Sequence, residues 1–315
     1  MMPQPRILFF GTPEFAIPTL NTLYQKGFTI VGIITAPDEP AGRKQQLTPP
    51  PIKIKAQKLN LPIFQPNKLI EAEWKKTIPM ADIFIVVAYG KILPQWLLSL
   101  PQFGTINIHP SLLPKYRGPS PIQSALLAGE KITGVSVMLI DKEVDHGPIL
   151  GFEQVAINTV DDAVSLSEKL AHTGAEVLCQ ILPEWTSKSL KPIEQDHSKA
   201  TFTAMVTKDS GHIDWSQNAS QVINQLRAFA LWPKCWAMLE NESQKTRIII
   251  LKAHESSTPS NTVQPGSIVV NENKLLIATG DTYLIIDNLQ PENKKEMPAS
   301  AFLQGYSLNP TSKFI

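Results

Sequence analysis

ADIFIVVAYG, residues 81–90, is the stretch of sequence that best predicts the fold. It is a nearly continuous apolar run that ends in glycine, which is typical of a strand buried on both faces of a sheet. Similar runs recur at 6–11, 28–35, 104–110 and 133–141, and segments with helical spacing lie between them. This alternation predicts an α/β fold with a Rossmann-like, mostly parallel sheet that is covered by helices.

The second half of the sequence has a different pattern. Residues 191–211 are polar and have no clear period, and after them come short strand-like runs separated by turn signals such as 271–273. Antiparallel strands joined by tight turns give this pattern. We therefore predict an α/β domain at 1–189, a linker at 190–207 and a small β-barrel at 208–315.

Composition excludes several classes of protein. The 315 residues are 43% hydrophobic and carry a net charge of +1, which does not indicate a strongly basic nucleic-acid binder. The two cysteines, Cys179 and Cys235, fit neither a disulfide framework nor a zinc site. The first residues lack the pattern of a signal or transit peptide, and no apolar run reaches the ~18 residues that span a bilayer. We expect a cytoplasmic protein that does not contact a membrane.

The strand-like run at 104–110 carries two polar residues, Asn107 and His109. Residues two apart in a strand share a face, so these side chains are predicted to lie together near the carboxyl end of the strand, where α/β sheets bind ligands. An amide and an imidazole placed in this way can stabilise an oxyanion that forms on a carbonyl group. They can also be structural, with both side chains bonded to loop backbone.

An acid is needed to orient the histidine, and the next strand ends near three of them. Asp141, Glu143 and Asp145 all follow the run at 133–141, and spacing alone does not choose among them. His146 is a competing proton-transfer group. Each of the three acids is also compatible with a plain solvated loop carboxylate.

Other catalytic motifs are weak or missing in the sequence. The segment at 9–16, FFGTPEFA, has one glycine where a dinucleotide fingerprint needs three. No phosphate-binding loop of the form GxxxxGK[ST] and no GxSxG nucleophile motif is present. The histidines have no metal-ligand spacing, so we expect no metal.

Five motifs together carry a resemblance to a known family: FFGTPEFA, APDEPAGR, VVAYGKILP, INIHPSLLPKYRG and VDHGPI. The chain resembles the methionyl-tRNA formyltransferase family, which is part of the folate-dependent formyltransferases, over nearly its whole length. The resemblance implies transfer of a formyl group from 10-formyltetrahydrofolate to the α-amino group of methionine on initiator tRNA. It also implies that Asn107, His109 and Asp145 are the catalytic residues.

The resemblance further implies which residues bind the two substrates. The folate site is expected at Ser111, Leu112, Leu113, Pro114, Tyr89, Gly90, Lys91, Ile92, Leu93 and Asp141. The acceptor end of the tRNA is expected at Arg43 and Lys44, in a long proline-rich loop, and the second domain is expected to be an OB-like tRNA-binding barrel. We expect a monomer. The alternative substrate is another amine, on a nucleotide or an amino sugar. Lys115 and Arg117 are left open, since they can face substrate or water.

Overall fold

The computed structural model describes residues 4–42, 45–242, 244–260 and 262–315. The chain divides into two compact units. The first consists of Met1–Pro121, Ile132–Ile157 and Ser167–Thr203, and the second of Ile122–Lys131, Asn158–Leu166 and Ala204–Ile315. The second unit thus includes two short stretches that precede the limits predicted from the sequence, which stay a prediction.

The first unit is built on a seven-stranded sheet with the order β5-β2-β1-β6-β7-β8-β9. The strands of this unit are β1 (Arg6–Gly11), β2 (Thr29–Ile34), β3 (Glu39–Ala41), β4 (Gln46–Thr48), β5 (Ile63–Phe64), β6 (Ile83–Val87), β7 (Thr105–His109), β8 (Ile132–Leu139) and β9 (Ile149–Ala156). Of these, β3 and β4 are not part of the large sheet and form a separate two-stranded hairpin.

Strand direction changes within this sheet. The five strands from β5 to β7 pair in parallel, whereas β8 runs antiparallel to β7, and β9 runs antiparallel to β8. The predicted α/β class with a mostly parallel sheet is therefore confirmed. As a consequence, the loop that follows β8 starts at the opposite edge of the sheet from the carboxyl end of β7.

The core of the first unit explains why β6 forms a central strand. All five residues of β6 are buried, as the run at 81–90 predicts. Phe84 packs on Phe10 of β1 with ring centroids 5.4 Å apart, and Tyr89 packs on the same ring. Each such buried side chain contributes about 1.5–3 kcal/mol of transfer free energy, so this cluster fixes the strand next to the candidate site.

In the part of the chain that the structure describes, eight α-helices accompany the strands: α1 (Ile17–Gln25), α2 (Pro51–Lys58), α3 (Glu71–Trp74), α4 (Gln95–Leu98), α5 (Pro121–Leu127), α6 (Ala163–Thr186), α7 (Ala219–Ala228) and α8 (Ala299–Gly305). The longest, α6, has 24 residues. None of the helices in the described ranges combines the length and apolar character needed to cross a bilayer.

The proline-rich loop after β2 contains the β3–β4 hairpin, which the sequence does not predict. At its base, the Asp38 carboxylate accepts hydrogen bonds from Lys53 at 2.7 Å and from Gln65 at 2.8 Å. The Gln65 bond, followed by that from Lys53, lowers the pKa of Asp38. Arg43 and Lys44, the predicted tRNA contacts in this loop, lie outside the described residues.

The second unit contains an antiparallel sheet with the order β12-β13-β14-β11-β10-β16, and a further strand, β15, pairs with β14. Its strands are β10 (Cys235–Asn241), β11 (Gln244–Pro259), β12 (Ile268–Asn271), β13 (Lys274–Ala278), β14 (Thr282–Pro291), β15 (Met297–Pro298) and β16 (Lys313–Phe314). The ends of the sheet meet, because Phe314 N donates to Gly266 O at 2.8 Å and Ser267 bridges Lys313. The predicted C-terminal barrel-like domain is therefore confirmed as a fold.

Candidate active site

Strand β7 carries Asn107 and His109 on one face. Asn107 pairs with Met138 of β8, and His109 pairs with Ser136. Asn107 is half-buried, whereas His109 is only 4% exposed. Ile106 and Ile108 are buried on the other face, and this apolar packing fixes which way the two polar side chains point.

Both ring nitrogens of His109 face oxygen atoms of the protein. Nε2 lies 2.9 Å from the carbonyl oxygen of Tyr116, and Nδ1 lies 3.5 Å from Asp145 Oδ2. A carbonyl oxygen can only accept, so Nε2 carries a proton in this arrangement. The Asn107 carboxamide, by contrast, has no hydrogen-bond partner among the described residues, so it is available to a ligand.

Asp145 reaches His109 from the loop between β8 and β9. Leu139, the last residue of β8, pairs with Ile106, which lies three residues before His109 in β7. Three strand residues span about 10 Å, so the loop must fold back along the sheet by that distance to reach His109. There, Asp145 Oδ2 accepts a hydrogen bond from Gly118 N at 2.7 Å. The Asp145 backbone is left-handed, with φ of 49°. The loop, and not the end of the strand, therefore places this carboxylate.

Two glycines make this arrangement of loops possible. Gly118 has φ of 107°, and a Cβ there would lie 2.9 Å from Thr203 Oγ1. A Cβ on Gly147 would collide with the carbonyl oxygen of Leu139. Any larger residue at either position must displace the backbone that presents or receives the Asp145 carboxylate.

The other two acids of the same loop have a different partner. His146 Nδ1 lies 2.6 Å from Asp141 Oδ2, and its Nε2 lies 3.9 Å from Glu143 Oε2. The His146 ring stacks on His197 with centroids 4.0 Å apart. Of the three acids that sequence spacing left open, Asp145 is thus the one beside His109, and His146 is engaged elsewhere.

The turn after β7 is held by hydroxyl groups. Ser111 Oγ donates to Lys115 O at 2.6 Å, and Leu113 N donates to Ser136 Oγ at 3.0 Å. Ser136 Oγ in turn donates to Ser111 O at 2.8 Å. Ser111 and Leu113 are buried, whereas Leu112 and Pro114 are half-buried. Of these four predicted folate residues, Leu112 and Pro114 are the ones with appreciable side-chain surface.

The predicted folate residues after β6 also include both buried and exposed side chains. Tyr89 is 3% exposed, its hydroxyl has no partner within the described part of the chain, and burial raises its pKa to about 12. Lys91 Nζ donates to the carbonyl oxygens of Pro66 and Asn67 at 3.0 and 3.1 Å. Ile92 is 90% exposed. Ile92 follows the carboxyl end of a parallel strand, where α/β sheets bind ligands, and this position makes it a candidate ligand contact.

Arg117 faces neither substrate nor water. It is 3% exposed and donates to Gln195 Oε1 from Nε at 3.2 Å and from one terminal nitrogen at 2.6 Å. The same terminal nitrogen lies 2.8 Å from His197 Nδ1. Sequence reasoning misses Gln195 because this residue stands in the polar, aperiodic segment that the sequence predicts to be a linker, where no pattern distinguishes a buried residue.

No metal centre accompanies these groups: across residues 4–42, 45–242, 244–260 and 262–315, no cluster of three or more His, Cys, Asp or Glu side chains is arranged to hold an ion.

Comparison with known proteins gives a consistent family. The formyl transferase family model matches residues 5–182, and the model of the formyl transferase C-terminal domain matches residues 205–307. The methionyl-tRNA formyltransferase of Bacillus velezensis is 37% identical over 309 residues, which cover 97% of this chain and 96% of the relative.

Two solved structures share the fold. WlaRD, a sugar 3N-formyl transferase solved with dTDP and 5-N-formyl-THF, has a TM-score of 0.65 at 19% identity, with 92% of this chain and 98% of WlaRD covered. HypX from Aquifex aeolicus, solved with tetrahydrofolic acid, has a TM-score of 0.63 at 16% identity; the match covers 98% of this chain but 49% of HypX. Identity this low supports the fold alone, whereas the full-length relative and the family models decide membership. The chain belongs to the formyl transferase family and, within it, to the methionyl-tRNA formyltransferases.

Proposed function

We propose that this protein transfers the formyl group of 10-formyltetrahydrofolate to the α-amino group of methionine on initiator tRNA. The observation that carries the proposal is the full-length match to a methionyl-tRNA formyltransferase, which includes both domains. The two structural neighbours that share the fold were themselves solved with tetrahydrofolic acid and with 5-N-formyl-THF.

The reaction is an acyl transfer without a covalent enzyme intermediate. The uncharged amine nitrogen forms a bond to the formyl carbon, and the π electrons of the carbonyl group move to its oxygen. When the tetrahedral species collapses, the bond from the formyl carbon to the folate nitrogen breaks. The folate nitrogen takes up a proton as the amine nitrogen loses one, so the reaction is balanced without an external reagent.

Asn107 is the donor to the oxyanion in this proposal. Its amide is half-buried near the carboxyl end of β7 and is unoccupied among the described residues, so an N–H is available at once. A donor of this kind typically lowers the barrier by about 3–4 kcal/mol, because it is already oriented when negative charge develops.

His109 is the second donor, and Asp145 orients it. In the present geometry Nε2–H is bonded to Tyr116 O, so His109 must exchange that bond for one to the oxyanion when substrate binds. Catalytic hydrogen bonds are often misaligned in the free enzyme and tighten in the complex. The Asp145 carboxylate, 3.5 Å from Nδ1, holds the ring and stabilises positive charge that develops on it.

The folate is proposed to lie along the carboxyl edge of β6 and β7. Ile92, Leu112 and Pro114 offer side-chain surface there, whereas the buried residues Ser111 and Leu113 shape the turn beneath it. Asp141 contributes through the loop that it anchors to His146. Tyr89, Gly90, Lys91 and Leu93 complete the proposed site by fixing the backbone.

The tRNA side of the proposal rests on family membership. Arg43 and Lys44 are proposed to contact the acceptor end, and the C-terminal barrel is proposed to bind the tRNA body. Residues 206–315 contain ten Lys and Arg and ten Asp and Glu, so we expect few phosphate contacts there and a shallow dependence of binding on salt. A cytoplasmic monomer is part of the same proposal.

The test is a formyl-transfer assay with matched acceptors. The protein is incubated with 10-formyltetrahydrofolate and either methionyl initiator tRNA, the same tRNA with an acetylated α-amino group, an amino sugar nucleotide, or buffer. We expect formyl transfer to the first acceptor alone. Transfer to the amino sugar, or release of free formate in buffer, would refute the proposed substrate.

A further inference from the structure

We propose that Gln195 is a positioning residue for the reaction, because its side chain fixes the loop that presents Asp145. This inference rests on the proposed catalytic role of Asp145. Gln195 lies after α6, outside every motif that carries the family resemblance, yet it is only 5% exposed.

The Gln195 carboxamide joins three segments of the first unit. Nε2 donates to Asp145 O at 3.0 Å and to Gly147 O at 2.7 Å, while Oε1 accepts two hydrogen bonds from Arg117. Both N–H groups and both lone pairs of the amide are therefore used. Its orientation is also unambiguous, because a guanidinium can only donate and a backbone carbonyl can only accept.

The bonds from Nε2 end on the strained residue of the loop, Asp145, and on Gly147 just after it. Asp145 has a positive φ, which for a residue other than glycine costs free energy and persists only where surrounding contacts enforce it. One bond ends on the carbonyl oxygen of Asp145 itself, and the second ends on that of Gly147, two positions later in the chain. The carboxylate thus has two independent anchors: Gly118 N holds its Oδ2, and Gln195 holds its backbone.

Arg117 strengthens the hydrogen bonds by which Gln195 holds the Asp145 loop. Its buried guanidinium forms no ion pair with a carboxylate in the part of the chain that the structure describes, and its hydrogen-bond partners there are Gln195 and His197. A cation that donates to an amide oxygen polarises the amide, and the N–H groups on its other side become better donors. The positive charge is thereby coupled to the backbone carbonyls of the Asp145 loop.

A purely structural role predicts a different result from a positioning role. If Gln195 only stabilises the fold, its replacement lowers stability and affects turnover independently of Asp145. If it acts through Asp145, its replacement matters only while the Asp145 carboxylate is present. A double-mutant cycle separates the two, because residues that act as one unit have strongly non-additive effects on kcat.

Gln195→Glu is the informative variant. Its carboxylate retains the acceptor for Arg117 but directs lone pairs at the two loop carbonyls. Gln195→Leu removes both the acceptor for Arg117 and the donors to the loop carbonyls. Because it leaves a buried guanidinium without its acceptor, this variant is used only if it folds. Glu194→Gln, an exposed neighbour, is the matched control. Formyl-transfer kcat with saturating substrates and the melting temperature are measured for each, together with Asp145→Asn and Asp145→Asn/Gln195→Glu.

We expect Gln195→Glu to fold and to lose about tenfold to hundredfold in kcat, the usual cost of misplacing a catalytic group by about 1 Å. In the Asp145→Asn background the same change is expected to cost less than about twofold. If Asp145→Asn turns over normally, the role of Asp145 is wrong and that of Gln195 falls with it. If Asp145→Asn is slow but Gln195→Glu is normal, or if the two losses multiply, the Gln195 proposal alone is overturned.

Discussion

Strand β7 and the loop between β8 and β9 deliver the two halves of the candidate site in different ways. In β7, alternation along a buried strand brings Asn107 and His109 to one face, and the apolar residues between them fix the orientation. In the loop, Asp145 is positioned by contacts to residues 27 and 50 positions away in the sequence, Gly118 and Gln195.

The two halves of the site therefore differ in how far their geometry depends on distant contacts. A strand residue is held by the sheet hydrogen bonds and the core, so its position survives changes in the surrounding loops. A loop residue depends on a few specific contacts, and each of them is a point of failure. We therefore expect replacement of Asn107 in β7 to remove chemistry with little effect on stability, and replacement of a tightly packed loop residue such as Gly147 to affect both.

The largest effect is expected for Asn107→Ala, which removes the strand-borne oxyanion donor. Formyl-transfer kcat should fall about 10²- to 10³-fold. The amide has no internal partner among the described residues, so the melting temperature should barely change. Pre-steady-state formyl transfer and thermal unfolding measure the two quantities. A kcat within threefold of the unmodified protein would remove Asn107 from the mechanism.

Gly147→Ala tests the loop in the same terms. Its Cβ would collide with Leu139 O, so the loop must shift and carry Asp145 away from His109. We expect kcat to fall roughly tenfold or more and the free energy of unfolding to fall by about 0.5–3 kcal/mol. Gly305→Ala, where an added Cβ meets nothing within 4 Å, is the control. Full activity in Gly147→Ala would mean that the loop does not place Asp145.

Ile92→Ser tests the proposed folate contact next to the neighbouring strand β6. Loss of a 90% exposed side chain should leave stability unchanged, but it should raise the KM for the folate about threefold to tenfold if the folate covers it. Met80→Ser is the matched control, because Met80 is 79% exposed and precedes β6 at the opposite edge of the sheet. Equal KM values in the two variants would place the folate elsewhere.

The smallest expected effect is on the stability of the protein at low pH, and it concerns Asp196, the residue after Gln195. Hydrogen bonds from Ser198 and then from Lys199 lower the pKa of this carboxyl to about 2. A depressed folded-state pKa adds stability above the unfolded value near 4. That stability is lost as the pH falls towards 2.

Thermal unfolding from pH 2 to pH 6 measures this contribution. Asp196→Asn should be slightly less stable than the unmodified protein at pH 6, and the difference should disappear near pH 2. Glu194→Gln is expected to show no such trend. A gap for Asp196→Asn that is independent of pH would show that the carboxylate charge contributes nothing.

The same contrast explains how much of the molecule was predictable. The burial of β6, the shared face of Asn107 and His109, and the turn between β12 and β13 all follow from local patterns; Glu272 and Asn273 indeed have positive φ there. The antiparallel direction of β8 did not follow, because a buried run looks the same in either direction.

The candidate site was less predictable than the fold for a physical reason. Choosing Asp145 from three acids required the family resemblance, since loop conformation depends on distant contacts. The burial of Arg117 was equally hidden, because its partner Gln195 lies 78 residues away in an aperiodic segment. The β3–β4 hairpin was missed since proline-rich sequence gives no strand signal.

The left-handed backbone at Asp145 has an evolutionary consequence. Asparagine tolerates this conformation at least as well as aspartate, and the two side chains are nearly equal in size. A replacement of Asp145 by asparagine would therefore add no backbone strain, and under the proposed role of Asp145 it would act mainly through the rate of the reaction. Under the proposed role of Asp145, only a measurement of the reaction rate would detect such a variant, and a screen that scores abundance or heat resistance would pass it unnoticed.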